Sequence, residues 1–410
     1  MLFVFDSTSP CDRTRIQTIH TLKFEDTLDD AGNLAPNSLP QDLFPNRAEV
    51  DLSRIRNNLD VMRRHAGGGP VMAVVKADAY GHGAIRVARA LESHGVEFLA
   101  VAQVQEAVEL RLAGLERPIL VMGVPRKQDL PVLADMRLDI LIHSPEWART
   151  VADFAGRTRE LSVHLKVDTG MHRLGMRPED VAETISTLES APGIRLAGLW
   201  THFASADDPE SSFTAKQYDV LRGIVQTFGD RFDHVHVRAS NAVHYHRDVA
   251  SSGESNLIRI GISLYGYLHD SRAARDIGLE PAMRMISRVA QTRVIEAGEG
   301  VSYNLKWTAK RRTQIATISC GYADGYFRAL SNKAEVGIHG KRFPVVGTVC
   351  MDLTMVNLGE PGSIVVQEGD RAIMFGDGGP SAYEVARWAD TIVYEVCTNV
   401  SRRVRRVYKD

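Results

Sequence analysis

The chain has 410 residues, 44% of them hydrophobic and 24% charged, with a formal net charge of −2. That length is too great for one ordinary core and suits a barrel-sized domain beside a smaller one. The near-zero charge excludes the broad basic field that nucleic-acid binding needs, so partners have to be argued from local features.

The first ten residues, MLFVFDSTSP, carry about five apolar side chains before Asp6 and no basic flank. This falls short of the roughly 7–15 apolar residues of a secretory signal core. No stretch approaches the ~20 apolar residues of a membrane span. Cys11, Cys320, Cys350 and Cys397 lie far apart without a CxxC pair, which suggests neither a zinc ribbon nor a disulfide framework but reduced thiols and a cytoplasmic location. Residues 1–45 are rich in Thr, Asp, Pro and Asn and lack periodicity, so they read as an extension of unknown fold.

A helix is expected over 51–67 (DLSRIRNNLDVMRRHAG), after the short run AEVDL. Eight β-branched apolar runs then recur: VMAVVK (71–76), FLAVA (98–102), PILVMG (118–123), LDILIH (138–143), LSVHLKVD (161–168), IRLAGLWTHF (194–203), HVHVRAS (234–240) and NLIRIGISLYG (256–266). Between them lie helix-spaced segments such as GAIRVARALESHG (83–95), QVQEAVELRLAG (103–114) and SPEWARTVADFAG (144–156), with Ser, Pro and Gly where caps belong. Strands alternating with helices pair in parallel through right-handed crossovers, and eight units make a closed (β/α)8 barrel. An open doubly wound sheet is the architectural alternative. After about residue 280 the texture changes to Val-rich strands and turns, and long helices are absent until YEVARWA (383–389). The expected layout is an extension over 1–45, a TIM-like barrel over 46–278 and a mainly-β domain over 279–410.

Catalytic groups of such a barrel sit at the C-terminal ends of its strands. There the chain places Lys76, then Lys166 and Asp168 followed by Arg173, then His202, Ser240 and Asn241, while Arg259 lies within the eighth strand. A single lysine at a strand end commonly just reaches to water, whereas several charges on one rim call for a function. A lysine among other cations has a lowered amine pKa and can attack an aldehyde. The loops after the seventh and eighth strands, ASNA and RIGIS, are small enough to aim backbone N–H groups at a phosphate, and Tyr80 can add a hydroxyl. A Schiff-base lysine and a phosphate cradle together fit pyridoxal 5′-phosphate. Arg259 would face the ring nitrogen, and a guanidinium there cannot give up a proton, so the electron sink would be weak and suited to simple proton exchange.

The motifs VVKADAYGHG, VDTGMHRLG, THFA, IRIGISLYG, VSY, GYADGY, VCMD and YEV, in this order from about Ala48 to the C-terminus, resemble those of the alanine racemases. The resemblance implies a barrel plus β-domain enzyme that interconverts L- and D-alanine with pyridoxal 5′-phosphate as a homodimer. Lys76 would hold the cofactor and serve as base on the D-face, and Tyr303 of the other subunit would serve on the L-face. His202 would lie near the cofactor ring and support Tyr303 together with Arg259, and Arg173 would meet the substrate carboxylate. Lys166 matches a position that is carbamylated in many members. Phosphate contacts would fall to Tyr80, Gly261, Ile262, Tyr394 and either Ser240 or Asn241, while Tyr322, Met351 and Asp352 would line the substrate pocket.

The chain departs from the family pattern at Ala239-Ser240-Asn241-Ala242, where Ala-Asn-Ser-Ala is usual, at Asn304, where glycine is usual, and at Arg405, where proline is common. A racemase for serine or a broader set of amino acids is therefore the nearest alternative. A non-catalytic carrier of the cofactor would lack the β-module motifs. A decarboxylase would need a carboxylate in place of Arg259 and a catalytic cysteine motif. A metal-dependent hydrolase could use His234 and His236 or His244 and His246, but no carboxylate cluster accompanies them and the nearby cations would repel a metal. Cys350 reads as a packed thiol.

Overall fold

In the computed structural model, residues 45–155, 160–249 and 255–410 are described. Except for Pro45, the extension read over 1–45 lies outside them. Residues Asn46–Asp410 form one compact unit.

All eight runs read as barrel strands become strands. They are β2 (Val71–Val74), β3 (Phe98–Val101), β4 (Ile119–Val121), β5 (Asp139–Ile142), β6 (Leu161–Lys166), β7 (Ile194–Trp200), β8 (His234–His236) and β9 (Ile258–Ile260). They pair in parallel in the order β8-β7-β6-β5-β4-β3-β2-β9. Between β8 and β9 the seam is short: Asn256 N–H donates to the Val235 carbonyl at 3.1 Å and Arg259 N–H to the Arg238 carbonyl at 2.9 Å. That closes the ring, so the open doubly wound alternative does not hold. Helices with one apolar stripe cover the outside, among them Leu52–His65, Ala84–Ser93, Val104–Leu112 and Pro145–Ala155.

A second sheet of eight strands runs β15 (Lys341–Pro344), β14 (Glu335–Ile338), β17 (Arg371–Phe375), β10 (Met283–Ile295), β1 (Arg47–Asp51), β18 (Arg405–Lys409), and β13 (Thr313–Ile318) joins β10 to β16 (Thr354–Gly359). Strand β1 thus precedes the barrel in sequence but lies in this second sheet, antiparallel to β10 and parallel to the last strand. Its five residues are too few for their pattern to reveal a partner 230 residues away, which is why AEVDL read only as a lead-in to the barrel.

Two buried polar residues pin this arrangement. Asn58, fully buried on the first helix, donates to the carbonyls of Leu264 (3.0 Å) and Glu280 (2.8 Å) and accepts from Glu280 N–H (2.9 Å). Glu49 on β1 accepts from Arg284 on β10 (2.6 Å), Lys409 on β18 (2.9 Å) and Arg47 (3.1 Å). Burial by itself would raise the Glu49 carboxyl, but the hydrogen bonds from Lys409, Arg284 and Arg47 outweigh it and hold it at about 2. Among the described residues no helix is long and apolar enough to cross a membrane.

Because the folded value lies below the ordinary 4.5, Glu49 stabilises the fold fully above that ordinary value and progressively less as pH falls toward about 2. Glu49→Gln is expected to lower unfolding free energy at neutral pH by up to about 3 kcal/mol and to flatten the stability profile across that acid window, as read from urea midpoints at a series of pH values.

Candidate active site

Apart from Arg259, the central residue of β9, the sequence-selected barrel residues lie at or beyond a strand end. Strand β2 stops at Val74, and Lys76 opens the next segment, in which Ala77, Asp78, Ala79 and Tyr80 all have φ between 52° and 54°. Four successive L-residues in the left-handed region cost on the order of 1–2 kcal/mol each, so the surroundings must enforce the turn. Glu106 does so from the neighbouring crossover helix, accepting from the N–H groups of Ala77 (2.6 Å), Ala102 (2.8 Å) and Gln103 (3.0 Å). Asp78 accepts from Ala84 N–H at 2.7 Å. Arg406 from the C-terminal strand donates to the Gly81 carbonyl at 3.0 Å. At Gly81, with φ of 80°, a Cβ would lie 2.2 Å from the Cys397 carbonyl oxygen. The turn holds the Lys76 amine in place, and burial followed by the Arg173 charge lowers its pKa while Glu106 opposes.

Lys166 ends β6, is 4% exposed, and sets its Nζ 3.7 Å from the centre of the Trp200 ring. Burial, then the charges of Arg259 and Arg173, push this amine down to about 6, so at neutral pH it is largely unprotonated. Asp168 shapes the loop that carries Arg173 by accepting from Gly170 and His172 N–H groups, each at 3.0 Å.

Arg259 on β9 is 2% exposed and stands in the barrel lumen. Its Nη2 donates to the Thr201 carbonyl (2.9 Å) and lies 3.3 Å from His202 Nδ1, its Nη1 donates to the His236 carbonyl, and the guanidinium lies 4.7 Å from the Trp200 ring. Burial lowers Arg259 to about 9, which leaves it charged at neutral pH. Burial and the Arg259 charge press the His202 imidazole well below its ordinary range, so it is neutral.

Ser240 and Asn241, between which the sequence left the choice open, point differently. Ser240 Oγ receives hydrogen bonds from Gly261 N–H (3.0 Å), Ser263 N–H (3.4 Å) and Ser263 Oγ (2.9 Å). Asn241 instead accepts from His269 N–H at 3.2 Å and bonds to Tyr394. A Cβ on Gly261 would lie 2.7 Å from the Tyr80 hydroxyl, so only glycine admits that hydroxyl. The Tyr80 ring packs 4.9 Å from Tyr265 and 6.1 Å from Tyr394. Ile262, beside them, is buried.

Apart from Tyr394, the sequence-selected residues of the β module stand away from this cluster. Tyr303 is 67% exposed and Met351 52%, and Tyr322 is also exposed. The Tyr303 carbonyl accepts from Thr348 Oγ1 at 3.1 Å, between Ser302 and Asn304, which both have positive φ. Arg403 joins Asp352 (2.8 Å) to the buried Asp324. The expected hydrogen-bonded link from His202 and Arg259 to Tyr303 is not made within this chain among the described residues, although His202 and Arg259 do meet. Cys350 packs 3.4 Å from Ser302 Oγ. The sequence reading passed over Glu106, Trp200, His164 and Asp139; the alternation His164-x-Lys166, like that of His234-x-His236, was the available signal, since both members of each pair share a face.

The alanine racemase N-terminal domain profile matches residues 50–269 and the C-terminal domain profile residues 282–408. The chain belongs to the alanine racemase family. It is 42% identical over 375 residues to the alanine racemase of Chlorobaculum tepidum, covering 88% of this chain and 96% of that one. It is 41% identical over 382 residues to that of Mycobacterium tuberculosis, covering 88% and 96%. Among solved structures, alanine racemase of Clostridium difficile matches with a TM-score of 0.83 at 36% identity, over 89% of this chain and 96% of that one. Alanine racemase from Bacillus anthracis with bound L-Ala-P matches with a TM-score of 0.81 at 34% identity, over 90% and 95%.

Removing the Glu106 acceptor is expected to release the turn that carries Lys76. Glu106→Ala should lower stability by about 1–3 kcal/mol and speed hydrogen exchange at the amides of Ala77, Ala102 and Gln103; unchanged exchange there would show that the turn holds itself.

Proposed function

We propose that this chain interconverts L- and D-alanine with pyridoxal 5′-phosphate held at the barrel mouth, Lys76 and Tyr303 moving the proton on opposite faces of the substrate. The observation that carries the reading is the gathering of Lys76, Lys166, Arg173 and Arg259 near one another, with each lysine lowered by at least one of the arginines. Such a set of basic groups is stabilised when an anionic ligand completes it. The residues fit that cofactor: an amine of lowered pKa for its aldehyde, the hydroxyls of Ser240, Ser263 and Tyr80 around the side-chainless Gly261 for its phosphate, and a donor-only guanidinium for its ring nitrogen.

When bound, the cofactor supplies the electron sink that makes the Cα–H of an amino acid acidic. The chain does the rest. Lys76 Nζ takes or returns the proton on the D-face. Arg259 donates toward the ring nitrogen without surrendering a proton, which keeps the sink modest and favours exchange of the α-proton over side reactions. Ser240, with Gly261, Ile262, Tyr80 and Tyr394, anchors the phosphate, while Asn241 braces Tyr394 from outside. Arg173 takes the substrate carboxylate. The unprotonated Lys166 amine attacks carbon dioxide and releases a proton to water, leaving a carbamate anion that orients Arg173.

Racemisation needs a second base on the other face, and the exposed Tyr303 fits that task when offered to another copy. Tyr303, Leu305, Tyr322, Met351 and Leu353 are large apolar groups exposed on the same module, which supports a homodimer in which this surface covers the partner's barrel mouth. Tyr322, Met351 and Asp352 then line the partner's substrate pocket.

The deciding experiment is a chiral assay of the cofactor-loaded protein with L-alanine, L-serine, L-lysine and L-glutamate offered separately. Fast racemisation of alanine alone is expected; preference for another amino acid keeps the mechanism and overturns the substrate. Lys76→Ala should abolish the visible absorbance band of the bound cofactor. Tyr303→Phe should lose exchange of the L-alanine α-proton by a factor of roughly 10²–10⁴ while exchange of the D-alanine proton persists, and equal loss on both faces would contradict the two-base scheme.

A further inference from the structure

The lumen of a (β/α)8 barrel is ordinarily filled by branched aliphatic side chains. Here it holds a chain of four buried polar groups on four different strands: Asp139 on β5, His164 on β6, His236 on β8 and Arg259 on β9, exposed to 5%, 0%, 0% and 2%. Asp139 Oδ2 lies 3.2 Å from His164 Nε2, His164 Nδ1 lies 3.0 Å from His236 Nε2, and His236 Nδ1 lies 3.1 Å from Arg259 Nη1. Every contact is of hydrogen-bond length.

One end of this chain dictates the rest. A guanidinium only donates, so His236 Nδ1 must accept and carries no proton. A neutral His236 therefore bears its proton on Nε2 and donates to His164 Nδ1. His164 Nδ1 is then bare, its proton sits on Nε2, and that N–H donates to the Asp139 carboxylate, which only accepts. The donors and acceptors run in one sense from the cation to the anion without a conflict. An imidazolium at His236 would point an N–H at the Arg259 N–H groups. Burial and the Arg259 charge push His236 well below its ordinary range, in keeping with a neutral ring. His202, on the other nitrogen of the guanidinium, presents its Nδ1 in the same way.

Strand β7 passes between the two histidines, and it does so at Gly198. A Cβ there would lie 2.1 Å from His164 Nδ1 and 2.8 Å from His236 Nε2, so any side chain at this position would displace the pair. Two residues further along the same strand, Trp200 stacks on His236 at 5.5 Å and 14°. The β6–β7 pairing shifts register between Val163 and His164, beside the contact.

The geometry points to a positioning unit made of Asp139, His164 and Gly198, which acts through His236 to fix the Arg259 guanidinium in orientation and charge. None of the three touches the reacting atoms in this reading. The unit gives the buried cation a carboxylate counter-charge at the far end of a two-imidazole relay, close enough to polarise the donors and too far to take the place of the ring nitrogen as their partner. It would thereby set how firmly the donor-only cation meets the cofactor ring. The consequence for the cofactor rests on the reading above; the sense of the relay belongs to the chain alone.

The test is a long-range proton–nitrogen NMR correlation on the full chain with ring-labelled histidine, cofactor-free and cofactor-loaded, at neutral pH. His164 and His236 are each expected as the neutral Nε2–H form in both preparations. An Nδ1–H form or an imidazolium at either residue would overturn the unit. Asp139→Asn conserves shape and removes the far counter-charge; Arg259 still sets both rings in the Nε2–H form, with the amide oxygen turned to His164, and cofactor affinity read from the visible band should weaken about 10-fold or more. Gly198→Ala should break the His164–His236 contact with a similar loss. If Gly198→Ala does not fold, Asp139→Asn decides, and unchanged cofactor affinity in that variant refutes the proposal. The nitrogen spectrum of the cofactor-free protein judges the unit and the visible band judges the cofactor, so the two readings fail separately.

Discussion

A guanidinium that is 2% exposed inside a barrel is the constraint around which this protein is built. Removing a cation from water costs several kcal/mol unless hydrogen bonds and counter-charge replace the lost solvent. Arg259 finds carbonyls of Thr201 and His236, the edges of two neutral imidazoles and the face of Trp200. These partners come from β7, the segment after it, and β8, so the charge itself ties together the last part of the barrel, where backbone pairing is sparse. The seam between β8 and β9 is short in hydrogen bonds, and Arg259 stands on it with both its backbone and its side chain.

The same cation sets the electrostatics of the mouth. Its field reaches Lys166 and His202 and lowers both, so the site combines an unprotonated amine and a neutral imidazole with a permanently charged donor. Three types of basic group packed together thus divide into two neutral ones and one permanent cation at one pH, by burial and mutual repulsion.

The two modules depend on one another at the turn that carries Lys76. The left-handed segment 77–80 is unfavourable by itself, and part of what enforces it comes from the C-terminal module, through Arg406 on Gly81 and Cys397 against the same glycine. Tyr394 on the helix Val393–Thr398 approaches the Tyr80 ring. The β module therefore does more than extend the chain: it braces the turn of the barrel that carries Lys76.

The sequence by itself determined the eight barrel strands, their parallel order, the change to a β module and the residues at the strand ends, because each of these is written in patterns of a few residues. Short β-branched apolar runs, helix caps and charged groups at strand termini are local, and the family motifs are contiguous. Only the tertiary structure decided what depends on distant pairings. It moved β1 into the second sheet, where a five-residue strand finds β10 and β18. It turned Ser240 toward Gly261 and Asn241 away, which a reordered tetrapeptide could not reveal. It also aligned Asp139, His164, His236 and Arg259 across four strands, with Gly198 leaving the gap. Each of those residues read singly is an ordinary core polar group, a strand histidine or a flexible glycine; their meaning is a matter of barrel closure and register, which bring together atoms that sequence separation keeps apart.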